Sequence, residues 1–175
     1  MNASDVFRET FGRMPDLVDA AVDGLDHNQL AARIDAQANP VGWLVWHLTR
    51  VQDHHLAGAA AALGWEGLTQ QVWTAGGFAA RSGLGLGDDE VGYGHSSDEV
   101  ATVRLDASFL IDYHGAVHAR TLDVLGRITD DQWDAVVDER WDPPVTLLAR
   151  LASVLGDVTQ HVGQAAYARG VLERA

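Results

Sequence analysis

Pro143-Pro144-Val145-Thr146-Leu147-Leu148-Ala149-Arg150-Leu151-Ala152-Ser153-Val154-Leu155-Gly156-Asp157-Val158-Thr159-Gln160-His161-Val162 is the stretch whose periodicity decides the fold. Leu147, Leu148, Leu151, Val154, Leu155, Val158 and Val162 recur at helical spacing and draw one continuous apolar stripe. The diproline opens this helix, because proline's missing N–H falls where a helix has no intrahelical acceptor anyway. The pattern predicts a helix that runs nearly to the C-terminus. Asn39 as N-cap and Pro40 at the first helical position open a helix from Val41 to about Leu63. Ser96 and Glu99 form a capping box that opens another, Ser97 to about Leu125, with Gly126 as its stop. At the start of the chain Ser4 caps a helix reaching about Asp23, in which Pro15 predicts a bend or a late start. No segment alternates at period two, so the chain is expected to be all-α.

A weak internal echo organises these elements. Leu25-Asp26-His27-Asn28-Gln29-Leu30-Ala31-Ala32 lines up with Ile128-Thr129-Asp130-Asp131-Gln132-Trp133-Asp134-Ala135, each a short acidic-capped helix followed by a proline-initiated long one. Two such halves predict an up-down four-helix bundle, a single domain over residues 1–175. Between the second and third long helices, Gly64 to His95 holds nine of the 18 glycines together with Trp65, Trp73, Phe78 and Tyr93. That insertion is longer than the roughly 12 to 15 residues of an ordinary connector, and its aromatics argue against simple disorder. It is either a cap on one end of the helices or a lid over a ligand site.

Twelve basic against 25 acidic residues leave a net charge of −13, which repels phosphate backbones and anionic membrane surfaces. Nucleic acid and membrane are therefore not expected as partners. No cysteine is present, so disulfides, zinc thiolates and an intrinsic catalytic thiol are excluded, and any thiol chemistry needs a thiol from outside. The first residues lack a basic stretch followed by an apolar run, and no window approaches about 18 uninterrupted apolar residues, so a cytoplasmic location is expected.

The histidines carry the functional signal. Asp157 and His161 stand four apart on the last helix, the spacing at which one helix presents two metal ligands on one face. An Asp–His pair at that spacing also occurs on solvated faces, so the pair alone decides little. His47 lies inside the apolar run Val41-Gly42-Trp43-Leu44-Val45-Trp46-His47-Leu48, where it is either a core imidazole or a ligand facing the bundle axis. Together the three would give one divalent cation two imidazoles and a carboxylate, with coordination positions left open. His114 and His118 form an equally spaced pair on the third helix, and spacing alone does not exclude them. His54, two turns beyond His47, and His118 are candidates for supporting or substrate contacts. His27 and His95 fall in connections and read as surface residues.

Two segments, Asn39-Pro40-Val41-Gly42-Trp43-Leu44-Val45-Trp46-His47-Leu48 and Asp157-Val158-Thr159-Gln160-His161-Val162-Gly163-Gln164-Ala165-Ala166-Tyr167-Ala168-Arg169-Gly170, resemble the DinB superfamily of metal-binding four-helix bundles. The likeness is to its thiol-dependent branch, the N-terminal domain of mycothiol-dependent maleylpyruvate isomerase and the mycothiol and bacillithiol S-transferases. The resemblance implies His47, Asp157 and His161 as ligands of a divalent metal, zinc or nickel, with aspartate where that branch carries glutamate. It implies a metal-dependent S-transferase in which a low-molecular-weight thiol, mycothiol, attacks an electrophile under the glycine-rich lid. The isomerase's extra C-terminal domain has no counterpart after Ala175, so an S-transferase is expected in place of maleylpyruvate isomerisation. Gln164 and Arg169 are expected to orient polar or anionic groups of the thiol, and Trp43, Trp46 and Tyr93 to line an apolar pocket. The same ligands would serve a metal-dependent hydrolase, or a non-enzymatic metal-stabilised bundle that binds a ligand. A homodimer is compatible with such a bundle, although no heptad seam specifies one.

Overall fold

The computed structural model describes residues 3–174, and the chain is mostly helical, as the apolar periodicity predicts. Its elements in chain order are α1 (Ala3–Phe11), α2 (Met14–Val22), α3 (His27–Ala31), α4 (Val41–Ala62), α5 (Val72–Ala75), α6 (Phe78–Ser82), α7 (Ser97–Thr102), α8 (Ala107–Arg127), β1 (Val136–Asp138), β2 (Val145–Thr146) and α9 (Leu147–Leu172). α4 packs on α9 and α8, and α2 packs on the same two, so the four close a ring around one core. From Val41 to Asp53 every residue of α4 is buried. A helix apolar around most of its circumference belongs inside a molecule, and α4 is that central element.

Several boundaries depart from the sequence reading for local reasons. The N-terminal helix breaks at Gly12-Arg13, and α2 restarts with Pro15 in its first turn, which is the late start expected. Ser4 lies inside α1 and does not cap it. The N-cap of α4 is Pro40, not Asn39, with an extended ψ of 157°. The capping box of Ser96 and Glu99 does open a helix, but that helix ends at Thr102. The chain then runs extended so that Val103 and Leu105 both reach the core, and α8 restarts after Asp106 and passes Gly126 to Arg127. β-Branched Val103 takes the extended backbone at the end of that helix (φ −79°, ψ 92°).

The all-α expectation misses one feature, an irregular antiparallel ribbon pairing Val136 with Thr146 and Asp138 with Val145. Pro143-Pro144 lies in the turn of this ribbon, and α9 is instead capped by Thr146, whose hydroxyl accepts from the Ala149 amide. The echoed short helices survive only partly. α3 carries a complete capping box between Asp26 and Gln29, whereas the second half forms just a 3-10 turn, Asp130–Gln132.

The glycine-rich stretch is built into the core. Trp73 is fully buried and Phe78 nearly so, both packed on Tyr113 of α8 at ring-centroid distances of 5.3 and 4.9 Å. Its anchor is a buried charge pair on α4. The Asp53 carboxylate accepts from the Val72 and Trp73 amides and from the Tyr113 hydroxyl, all at 2.8 Å, and so caps α5. Arg50, also fully buried, donates to the carbonyls of Gly87, Asp88 and Glu90 and to Gln71 and Tyr113, with its guanidinium 4.7 Å from the Trp73 ring centre. Each carboxylate oxygen of Asp53 and each guanidinium nitrogen of Arg50 has a hydrogen-bond partner, which is the condition for holding such charges in a core.

Candidate metal centre

α4 and α9 are antiparallel neighbours. Leu44 shares a cavity with Gln164 and Tyr167, whereas His54 and His55, farther along α4, share one with Arg150, farther back along α9. Between these levels His47 meets Asp157 and His161. One ligand atom from each lies within 4.8 Å of the others, so a small inward rotation of the side chains brings them to the roughly 3.4 Å that separates ligands around a tetrahedral zinc ion. The two imidazoles meet edge to face with centroids 4.8 Å apart. His47 is buried, while the side chains of Asp157 and His161 are each 21% exposed, so the cluster opens to solvent on the α9 side.

The donor set fits a divalent cation. His47 donates from Nδ1 to the Val91 carbonyl at 2.5 Å, and His161 donates from Nδ1 to Gln164 Oε1 at 2.9 Å. Each contact fixes the proton on Nδ1 and leaves the Nε2 lone pair for a ligand bond. Burial, reinforced by neighbouring His161 and His95, lowers the His47 pKa to about 4 in spite of the Val91 contact, so the ring is neutral at pH 7, as a ligand must be. Asp157 Oδ1 is buried with no hydrogen-bond partner, and Oδ2 lies 3.7 Å from His161 Nε2. Burial pushes the Asp157 carboxyl above its ordinary range, opposed by His161. A carboxylate oxygen left without a donor in such surroundings is the feature a cation would resolve.

A loop from the glycine-rich stretch holds His47 in place. Trp43 stacks on the imidazole at 4.6 Å with planes 11° apart, and the exposed Tyr93 meets it edge-on at 5.3 Å. Between them passes Gly92, with φ +98°. A Cβ there would stand 2.8 Å from His47 Nδ1, 2.9 Å from Trp46 and 3.0 Å from Trp43. Only glycine allows both that dihedral and that approach. Glu90 braces the loop, accepting from the Gly92 amide and pairing with His95 Nε2 at 3.0 Å.

The other predicted residues are distributed as follows. His95 is not a surface residue: its side chain is 7% exposed, stacks on Trp46 and takes the Trp43 indole N–H on Nδ1. His27 is exposed as expected and pairs with Asp106. Gln164 contacts His161 as a supporting residue. His54 sits two turns from the triad beside His55 and Gln71, lining two other cavities. His114 is buried on α8 and, with His118, stands outside the cluster; His114 Nε2 and His118 Nδ1 both lack partners. Arg169 donates to the Ala20 and Asp23 carbonyls at the end of α2 and pairs with Glu173. Those contacts hold the C-terminal end of α9 to the end of α2.

Sequence reasoning missed Arg50, Asp53, Glu90 and Gly92. The signal for the first two was present, opposite charges three apart on an otherwise apolar helix.

The geometry agrees with what comparison with known proteins finds. A crystal structure of a conserved protein from Enterococcus faecalis is similar at a TM-score of 0.86 and 26% identity, covering 100% of this chain and 99% of that one. A search of curated proteins finds no match. The family model of the DinB superfamily matches residues 10–165, most of the chain, and the protein therefore belongs to the DinB superfamily.

Proposed function

We propose that the protein is a metal-dependent thiol S-transferase, built as an up-down four-helix bundle with the glycine-rich insertion as its fixed lid. The observation that carries the metal site is the His47, Asp157 and His161 cluster, with both imidazoles oriented through Nδ1 and one carboxylate oxygen unpartnered. Zinc, or else nickel, suits two nitrogens and one oxygen with room for a further ligand. When bound, such a cation supplies Lewis acidity that favours the thiolate over the thiol of a cosubstrate at neutral pH. The thiol reading rests on the absence of any cysteine and on the likeness to the thiol-dependent branch, which makes mycothiol the proposed cosubstrate.

In that reaction the chain's residues orient and shield. Val91 and Gln164 keep the two imidazoles in one tautomer. Trp43 and Tyr93 flank His47 and exclude water from its rim, and the exposed edges of Asp157 and His161 leave the approach open. The thiol proton passes to solvent, the sulfur forms a bond to the electrophilic carbon, and the leaving group departs with the electron pair of the broken bond. The test is product formation from an electrophile such as a halonitroarene with the zinc-loaded protein. Thiol-dependent conjugate formation with mycothiol, lost in His161→Ala, is the expected result. Hydrolysis without thiol would assign the site to a metal-dependent hydrolase, and no turnover of any kind would leave ligand binding.

A further inference from the structure

A cavity of about 520 Å³ lies between the N-terminal end of α4 and the C-terminal half of α9, within the size range of small-molecule sites. None of its lining side chains is charged, in a protein of net charge −13. Two cavities farther along α4 are different: one against the glycine-rich stretch carries Asp88, and one against the ribbon and α9 carries Asp138, Glu139, Arg140 and Arg150. Leu44, Ile34 and Tyr167 give the uncharged cavity its apolar surface, with Tyr167 66% exposed at its edge. Asn39 and Gln164 bring amides to it. Gln164 uses its oxygen on His161 and keeps its N–H₂ group available.

The cavity adjoins the triad. Leu44 precedes His47 by three residues and Gln164 follows His161 by three, so both line it about one helical turn, roughly 5 Å, from the ligands. Gly163 makes a separate point. It lies inside the continuous helix α9, although a glycine in a helix interior is less favourable than alanine, and a Cβ built on it meets nothing within 4 Å. Gly163 is exposed and lines the cavity, so a side chain added there has room beside it.

We propose that this cavity binds the electrophilic substrate and selects an uncharged, largely apolar molecule with a hydrogen-bond acceptor, such as a carbonyl or nitro oxygen, for the amide of Gln164 or Asn39. The proposal rests on the S-transferase reading for the word electrophile, but binding is measured without turnover, so the two fail separately. Two fluorescent probes of similar shape separate charge from shape: neutral N-phenyl-1-naphthylamine and anionic 8-anilinonaphthalene-1-sulfonate, each titrated into the zinc-loaded protein.

The neutral dye is expected to bind saturably at one site per chain and at least tenfold more tightly than the sulfonate. Gly163→Leu adds a side chain at a cavity-lining position where a Cβ meets nothing within 4 Å, and it is expected to weaken neutral-dye binding at least tenfold with zinc content and melting temperature retained. Ile34→Arg, at a partly exposed position, is expected to reverse the preference toward the sulfonate. Equal binding of the two dyes to the wild-type protein overturns the proposal. So does a Gly163→Leu protein that binds the neutral dye as the wild type does. If Gly163→Leu instead turns a dimer into a monomer by light scattering while dye binding persists, this face joins two copies of the chain and the proposal is again overturned. Should Gly163→Leu fail to fold, the Ile34→Arg reversal decides alone.

Discussion

Replacing Gly92 by alanine tests how the glycine-rich loop acts on the metal ligand. The added methyl group would stand 2.8 Å from His47 Nδ1 and within 3.0 Å of two indole rings, of which Trp46 is fully buried and Trp43 is 5% exposed. Neither ring has room to yield, so the loop must move outward and lengthen the Val91–His47 hydrogen bond. The φ of +98° adds its own cost for any residue with a Cβ, of order 1–2 kcal/mol. Removing the group that orients a metal-bound histidine lowers metal affinity by about 10- to 100-fold. Gly94→Ala is the control, because Gly94 has φ +73° but nothing within 4 Å of its added Cβ. Both variants should lose about 1–2 kcal/mol of stability from the dihedral. Only Gly92→Ala should lose zinc affinity, measured by competition with a chromophoric chelator. If the two variants bind zinc equally, the loop does not orient His47 and the reasoning about Val91 is refuted.

The remaining predictions concern the anchor, pH and metal. Arg50→Met removes the positive charge opposite the buried Asp53 and strands the Gly87, Asp88 and Glu90 carbonyls, and should cost about 3–5 kcal/mol in urea melts; a loss under about 1 kcal/mol would show that the buried pair anchors nothing. Burial lowers the pKa of His114 from the usual 6.5 to about 4, and His55 is lowered to the same value. The folded protein therefore keeps both rings neutral while the unfolded chain takes up protons below 6.5. Their contribution to stability is complete above pH 6.5 and is lost as pH falls toward 4. Metal-free protein should weaken steadily from pH 7 to 4.5, His114→Leu should flatten that slope, and an unchanged slope would contradict the assignment. Chelation of protein held at free zinc 100 to 1,000 times the Kd should remove about 3–4 kcal/mol. For a chain of this size that is a fall of roughly 6–16 °C in Tm, and an unmoved transition would argue against a site tied to the fold.

What the sequence discloses and what it hides follow physical lines. The apolar stripe of α9 and the uninterrupted apolar run of α4 are local, so helix type and partner face can be read from them. The four-residue interval between Asp157 and His161 is equally local, but pairing it with His47 in place of His114 and His118 required the likeness to a family, because spacing is the same for both pairs. The break before α8 is decided by where Val103 and Leu105 find burial, a tertiary matter that overrides the helical period. The ribbon is two short strands whose pairing depends on the turn between them, too brief to show alternation. His95 and Gly92 owe their positions to loop dihedrals that no periodicity encodes. Arg50 reads as a solvated charge until the glycine-rich stretch folds its carbonyls onto it.

The central claim is that His47, Asp157 and His161 hold one metal ion. Elemental analysis of protein purified without a histidine tag, with His47→Ala and His161→Ala alongside the wild type, tests it most directly. The account predicts near-stoichiometric zinc or nickel in the wild type and its loss in both variants. A wild-type protein that is metal-free and takes up neither zinc nor nickel when they are supplied would contradict it.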